Sequence, residues 1–197
     1  MNPWSDLTAA SPLHAAHRAI AERLALAFPT THFRHHVLPP RLTMPAWNRI
    51  AQRTPAVALG FQGFRPRKDC GRLLGVVATW VVLGVVRNEA GEERRLLGDA
   101  AMPGQIGLLA VAAAALHGMP VAGAGAVEVT SGDNLVIEGL ADEHAAPVTL
   151  SVTVAATLRP APPEGSLDEF LRLAAGWVLD PSTGAAADDT INLRGAA

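Results

Sequence analysis

The chain has 197 residues, 49% of them hydrophobic and 17% charged, with a mean hydropathy of +0.22 and a formal net charge of −2. That balance excludes a disordered polymer, which combines low hydrophobicity with high net charge, and argues against a dedicated nucleic-acid binder. The length fits one domain, residues 1–197, able to bury a core. The single cysteine, Cys70, excludes an internal disulfide and a multi-cysteine metal site.

Met1–Ser11 has no basic segment followed by an apolar run, so no signal peptide is expected and residues 1–11 read as a flexible terminus. Ser11-Pro12 then opens a helix with a hydroxyl cap and a proline at the first helical position. Leu13, Ala16, Ile20, Leu24 and Ala27 or Phe28 recur at spacings of three and four, one apolar stripe, and Pro29 ends it. His32–Leu38 reads as a short strand stopped by Pro39-Pro40. Met44–Arg53 reads as a turn or two of helix with Trp47 and Ile50 on one side. Pro55–Phe64 alternates Val57, Leu59 and Phe61 against small residues, a strand pattern. Arg65–Asp69 is a charged loop.

Arg72–Val86 is the longest strand candidate. Fifteen residues at about 3.3 Å each span roughly 50 Å, beyond the usual strand length, so the strand is expected to leave its sheet as a hairpin arm with Asn88–Arg95 as its protruding turn. Its uncharged part, Leu73–Val86, is too short for a membrane span, which needs about 20 residues, and is rich in valine; no transmembrane segment is expected. Pro103–His117 is a second helix with Ile106, Leu109, Ala113 and Leu116 as its expected core stripe, stopped by Gly118 and Pro120. Ala126–Thr130 is a short strand, Ser131–Asn134 a polar turn and Leu135–Leu140 a continuation. Val148–Leu158 alternates strictly, with Val148, Leu150, Val152 and Val154 on one side and Thr149, Ser151 and Thr153 on the other, which marks a half-buried antiparallel strand. Pro160–Pro163 is a linker, Phe170–Leu179 fits a strand or a short helix, and residues 180–197 form an extended tail. The expected architecture is α+β: a mostly antiparallel sheet with two helices packed on one face, a long hairpin arm and a carboxy-terminal tail.

Charge is unevenly placed. Residues 1–95 carry 13 basic and 6 acidic side chains, and residues 96–197 carry 3 basic and 12 acidic. Three readings fit: a nucleic-acid face, a mixed surface produced by interleaving of the halves, or copies of the chain meeting head to tail, basic side on acidic side.

Sites of chemistry are sparse. His14 and His17 sit three apart on the first helix, and His32, His35 and His36 follow. Imidazole is a common metal ligand, but no carboxylate stands at a ligand spacing and no HExxH motif occurs, so solvent-facing histidines are the simpler reading. Cys70 has basic neighbours that favour thiolate, yet nothing specifies a base or an oxyanion hole. The stretch from Arg34 to Arg72 has eight positive charges and one negative, with Phe33, Trp47, Phe61 and Phe64 interleaved. It fits a single-strand binding surface or, more simply, a solvated loop region beside core aromatics. No catalytic residue, metal or cofactor is expected.

Four stretches together resemble the Mu-like phage tail-completion family, related in design to lambda-type tail terminators: the helix with Ala19-Ile20-Ala21-Glu22-Arg23-Leu24; the strand Pro55-Ala56-Val57-Ala58-Leu59; the long Val-rich strand, turn and Ala-rich helix; and the ending Asp188-Asp189-Thr190-Ile191-Asn192-Leu193. Asp133-Asn134-Leu135 before the alternating strand also fits. The likeness covers nearly the whole chain. It implies a virion protein assembled in the host cytoplasm: a homohexameric ring at the head-proximal end of a tail, capping the tail tube protein, halting its polymerisation and offering a docking face to a head completion or neck protein. In a contractile tail it would meet the sheath protein, with DNA only passing through the lumen. Contacts are expected from the arm, at Arg72, Arg87, Glu92, Glu93, Arg94 and Arg95, and from the tail, at Thr190, Ile191, Leu193 and Arg194. The Pro39–Arg53 segment and the histidines at 32, 35 and 36 have no counterpart in that family. The competing readings are another neck or head–tail connector protein, a histidine-dependent metalloenzyme, and a nucleic-acid binder.

Overall fold

The computed structural model describes residues 11–67, 73–100, 102–134 and 144–158, all within the unit Met1–Leu158. In chain order these hold α1 (Pro12–Ala27), β1 (Arg34–Val37), α2 (Met44–Ala51), β2 (Ala56–Pro66), β3 (Leu74–Arg87), α3 (Glu92–Leu97), α4 (Gln105–Leu116), β4 (Ala124–Asn134) and β5 (Ala145–Leu158). The expected elements from Phe170 onward lie outside the described residues.

The five strands form one sheet in the order β1-β2-β3-β5-β4. β1 runs parallel to β2, and every other pairing is antiparallel. The fold is therefore the expected α+β class, and α1 and α4 do share one face. α2 is an addition: it covers part of the opposite face.

β3 explains its own composition. Ala78, Trp80, Val82 and Val86 bury against the α1/α4 side, and Leu83 and Val85 bury against α2 with Trp47, Ile50, Ala56 and Ala58. A strand covered on both faces needs apolar residues at every position instead of alternate ones, hence the valine run. β5 is covered on one face only. Val148, Leu150, Val152, Val154 and Ala156 are buried there, while Thr149, Ser151 and Thr153 stay half-exposed on the other side.

α1 places Ala16, Ile20, Leu24 and Phe28 on the sheet, the stripe its spacing predicts. Phe28 meets Phe33 edge to face at 5.0 Å, a favoured aromatic arrangement. The Arg23 Nε donates to the Ala115 carbonyl at 3.0 Å, satisfying an acceptor in the last turn of α4. α4 differs from expectation. It buries Leu108, Ala112 and Leu116, and leaves Ile106 exposed. Its sequence is apolar on every side, so spacing alone does not select the buried face. What selects it is Gly84, whose missing side chain lets Leu108 and Val148 close over β3; an added Cβ there would lie 3.1 Å from both.

The long hairpin is β2–β3, and residues 68–72 between the two strands lie outside the described residues. β3 does not leave the sheet: all fourteen residues pair with β5 and ten positions pair with β2. Asn88–Arg95, the expected tip of the arm, contains a turn and the start of α3. That helix is held by the Gly98–Pro103 bridge leading into α4. The Ser131–Asn134 segment, expected as a turn, continues β4 and pairs with Val148–Ser151. Ladder hydrogen bonds outweigh turn composition there, and Gly132 lets Leu150 and Leu109 pack close.

Candidate interaction surfaces

The sheet order separates the two halves of the sequence. β1, β2 and β3 come from the first half and β5 and β4 from the second, so among the described residues the strands of the two halves are not interleaved in the sheet. Residues 96–158 contain no lysine or arginine at all.

The β1 edge is basic. Arg34 and His36 are in register with Ala56 and Ala58, which face α2, so both point to the α2 side of the sheet. Arg49 lies in the last turn of α2, where a cation suits the helix dipole, and Arg53 follows it. All three arginines are exposed, and with Arg41 and Arg65 they make no ion pair among the described residues. The buried His36 Nε2 has no hydrogen-bond partner. The His36 pKa is lowered below its usual value, first by burial and then by the charges of Arg49, Arg53 and His35. His35 points the other way and its Nε2 contacts the Phe28 carbonyl at 2.7 Å.

The β4 edge is acidic. Glu128 pairs with Thr153 and Asp133 with Thr149, and those threonines lie on the side of β5 away from α1 and α4. Glu128 and Asp133 therefore share the sheet face of Arg34 and His36. Part of this edge is closed by the chain itself. The Gly118 N–H donates to the Val127 carbonyl, the Val127 N–H to the Met119 carbonyl, both at 2.8 Å, and the Val129 N–H to His117 Nδ1 at 3.3 Å. Two bulges interrupt the same strand. Both devices limit uncontrolled strand pairing and, among the described residues, leave Thr130–Asn134 as the open part.

Of the residues expected to make contacts, Arg87 is exposed at the end of β3, 3.8 Å from Glu89. Glu92, Glu93, Arg94 and Arg95 sit on α3, with Arg95 3.9 Å from Glu92. These charges belong to a short helix beside α4 and not to an arm tip. Arg72, Thr190, Ile191, Leu193 and Arg194 lie outside the described residues, as does Cys70. His14 and His17 are neighbours on α1, and the His17 pKa is lowered by burial and by His14. Among the described residues no group of three or more His, Cys, Asp or Glu is placed to share a metal ion. A small apolar cavity among Phe28, Val57, Leu108, Ala112 and Val148, and a groove beside Leu38, Leu42, Gly60 and Leu83, bring no titratable side chain into their walls. Among the described residues no helix is long and apolar enough to cross a membrane.

Sequence reasoning finds the charge imbalance and places its expected contacts at Arg72 and Arg87, on α3 and in the carboxy-terminal stretch, with none on β1 or β4. The residues it missed as a group, Arg34, His36, Arg49 and Arg53, are spread over twenty positions and converge only when α2 folds over the β1–β2 pair. Comparison with protein-family models and with curated proteins returned no match.

Proposed function

We propose that the chain is a structural ring subunit of the tail-terminator type, capping the head-proximal end of a phage tail tube, stopping its growth and presenting a docking surface to the neck. The observation that supports this most is the opposition of a basic β1 edge and an acidic β4 edge on one sheet. Edges of opposite charge are complementary between copies and not within one, so each contact is heterologous. A pure rotation between neighbours that divides a full turn into equal steps then closes a ring. Self-association in this way needs no catalytic group.

A neck or head–tail connector subunit would use the same edges. The two are separated by mixing the purified chain with tail tubes and with portal-bearing heads. A terminator decorates tube ends and limits their length in electron micrographs; a connector decorates heads and leaves tube length unchanged.

A further inference from the structure

We infer that Arg34, His36, Arg49 and Arg53 form a receiving site for the Asp133 carboxylate on the β4 edge of a second copy of this chain, with Glu128 further along that edge adding to its negative charge. The inference rests on the ring reading and adds to it the residues that meet.

Three observations carry it. The first is that the receiving side is cationic without internal compensation: none of the three arginines has a carboxylate partner among the described residues. Nor does the buried His36 Nε2 have a hydrogen-bond partner, and a buried polar atom left unpaired is costly unless a partner arrives. The second is that Glu128 and Asp133 are exposed on a stretch of chain with no lysine or arginine from residue 96 to 158, so that stretch offers them no such cation. The third is facing. Both sets point to the same side of the sheet. A rotation about an axis along the strands brings one copy's β4 edge to the next copy's β1 edge without turning the sheet over. The level along the strands is kept, and the register row His36–Ala58–Leu83–Thr149–Asp133 sets the Asp133 carboxylate beside the basic cluster, with Glu128 four β5 positions further along the edge; arginine suits that pairing through its fork of donors.

A nucleic-acid phosphate would satisfy the same arginines. The second copy is favoured because its acidic edge has the matching orientation and the chain as a whole is not basic.

The contact is coupled to protons. In the free chain the groups around His36 are Arg34 on the same face of its own strand, His35 next to it on the opposite face, and Arg49 and Arg53 from the α2 side, all positive or neutral; the β2 neighbour Ala58 is neutral. A carboxylate arriving beside the imidazole favours its charged form, so association takes up a proton and strengthens as pH falls toward 6. One coupled proton changes the association constant by up to about tenfold per pH unit.

The test uses the full-length chain, in two charge-reversed forms followed by sedimentation. One carries Arg49→Glu and Arg53→Glu, the other Glu128→Arg and Asp133→Arg. All four positions are exposed, and circular dichroism checks that each form is folded. Each form alone should associate at least tenfold more weakly than the parent, because like charges then face each other, and the equimolar mixture should recover to within about threefold. His36→Gln should retain association and flatten its pH dependence between pH 8 and 6. The site is overturned if the parent associates and either reversed form matches it, if the mixture fails to recover, or if His36→Gln leaves the pH slope unaltered. It is also overturned if Arg49→Glu/Arg53→Glu loses only salt-dependent retention on DNA. A parent chain that stays monomeric overturns the ring reading itself, and the site with it.

Discussion

Asp133 and His36 stand at opposite edges of the five-stranded sheet, on the same face and at the same level, joined by the register row His36–Ala58–Leu83–Thr149–Asp133. One molecule does not bring them together. In the proposed ring, a rotation about an axis along the strands keeps that level and sets Asp133 of one copy beside His36 of the next, so that charge segregation acts as a recognition device between copies.

If that contact holds the assembly together, it is sensitive to salt. Raising ionic strength from 0.05 to 0.5 M shortens the Debye length from roughly 14 to 4 Å, following the scaling of screening with concentration. The association constant measured by sedimentation should fall by at least about tenfold over that range. An association that strengthens with salt would indicate an apolar contact instead.

The face that α4 turns to the sheet is tested by two truncations on the same helix. Leu108 is 2% exposed and Ile106 52%. Leu108→Ala should cost about 2–5 kcal/mol in urea unfolding, the range for a buried leucine. Ile106→Ala should stay within about 0.5 kcal/mol. The order reverses if the spacing stripe through Ile106, Leu109 and Ala113 is the buried one.

Gly84 is where two side chains approach the central strand. A methyl group there would meet Leu108 and Val148 at 3.1 Å. Gly84→Ala should cost about 1–3 kcal/mol by overpacking, measured as a lower urea midpoint at unchanged slope. A neutral result would show that α4 can shift away from β3 freely.

The histidines set a pH trend in the dilute monomer. His36 and His17 both have lowered pKa values in the folded chain, chiefly through burial. Unfolding frees them to bind protons at the ordinary value near 6.5. The stability gained by keeping them neutral is therefore fully present above about pH 6.5 and is lost as pH falls through that value toward the lowered ones. Thermal midpoints should drop between pH 7.5 and 5.5, and drop less in His17→Gln/His36→Gln. An equal drop in the variant would assign the trend to other groups.

Much of the core was legible in the residues. The stripe of α1 and the alternation of β5 are periodic signals that survive folding, because each element buries one face. β3 was legible as a strand and misleading as an arm. Its length suggested protrusion, whereas its double burial between α1/α4 and α2 is a tertiary fact that no local pattern in Leu74–Arg87 records. α4 failed for a related reason: residues apolar all round carry no directional information, and the choice of Leu108 over Ile106 is made by Gly84 across the sheet. The basic cluster was visible as composition. Its convergence on one face depends on the parallel β1–β2 register and on α2 packing against Ala56 and Ala58, contacts set by tertiary structure.

The central claim is that the chain functions by closing on copies of itself, and the mass of the purified full-length protein tests it most directly. Native mass spectrometry at low salt and near pH 6.5, repeated in the presence of tail tubes, should show one closed oligomer of defined stoichiometry, or a monomer that becomes that oligomer on tube ends. A protein that remains a single copy under both conditions contradicts the account.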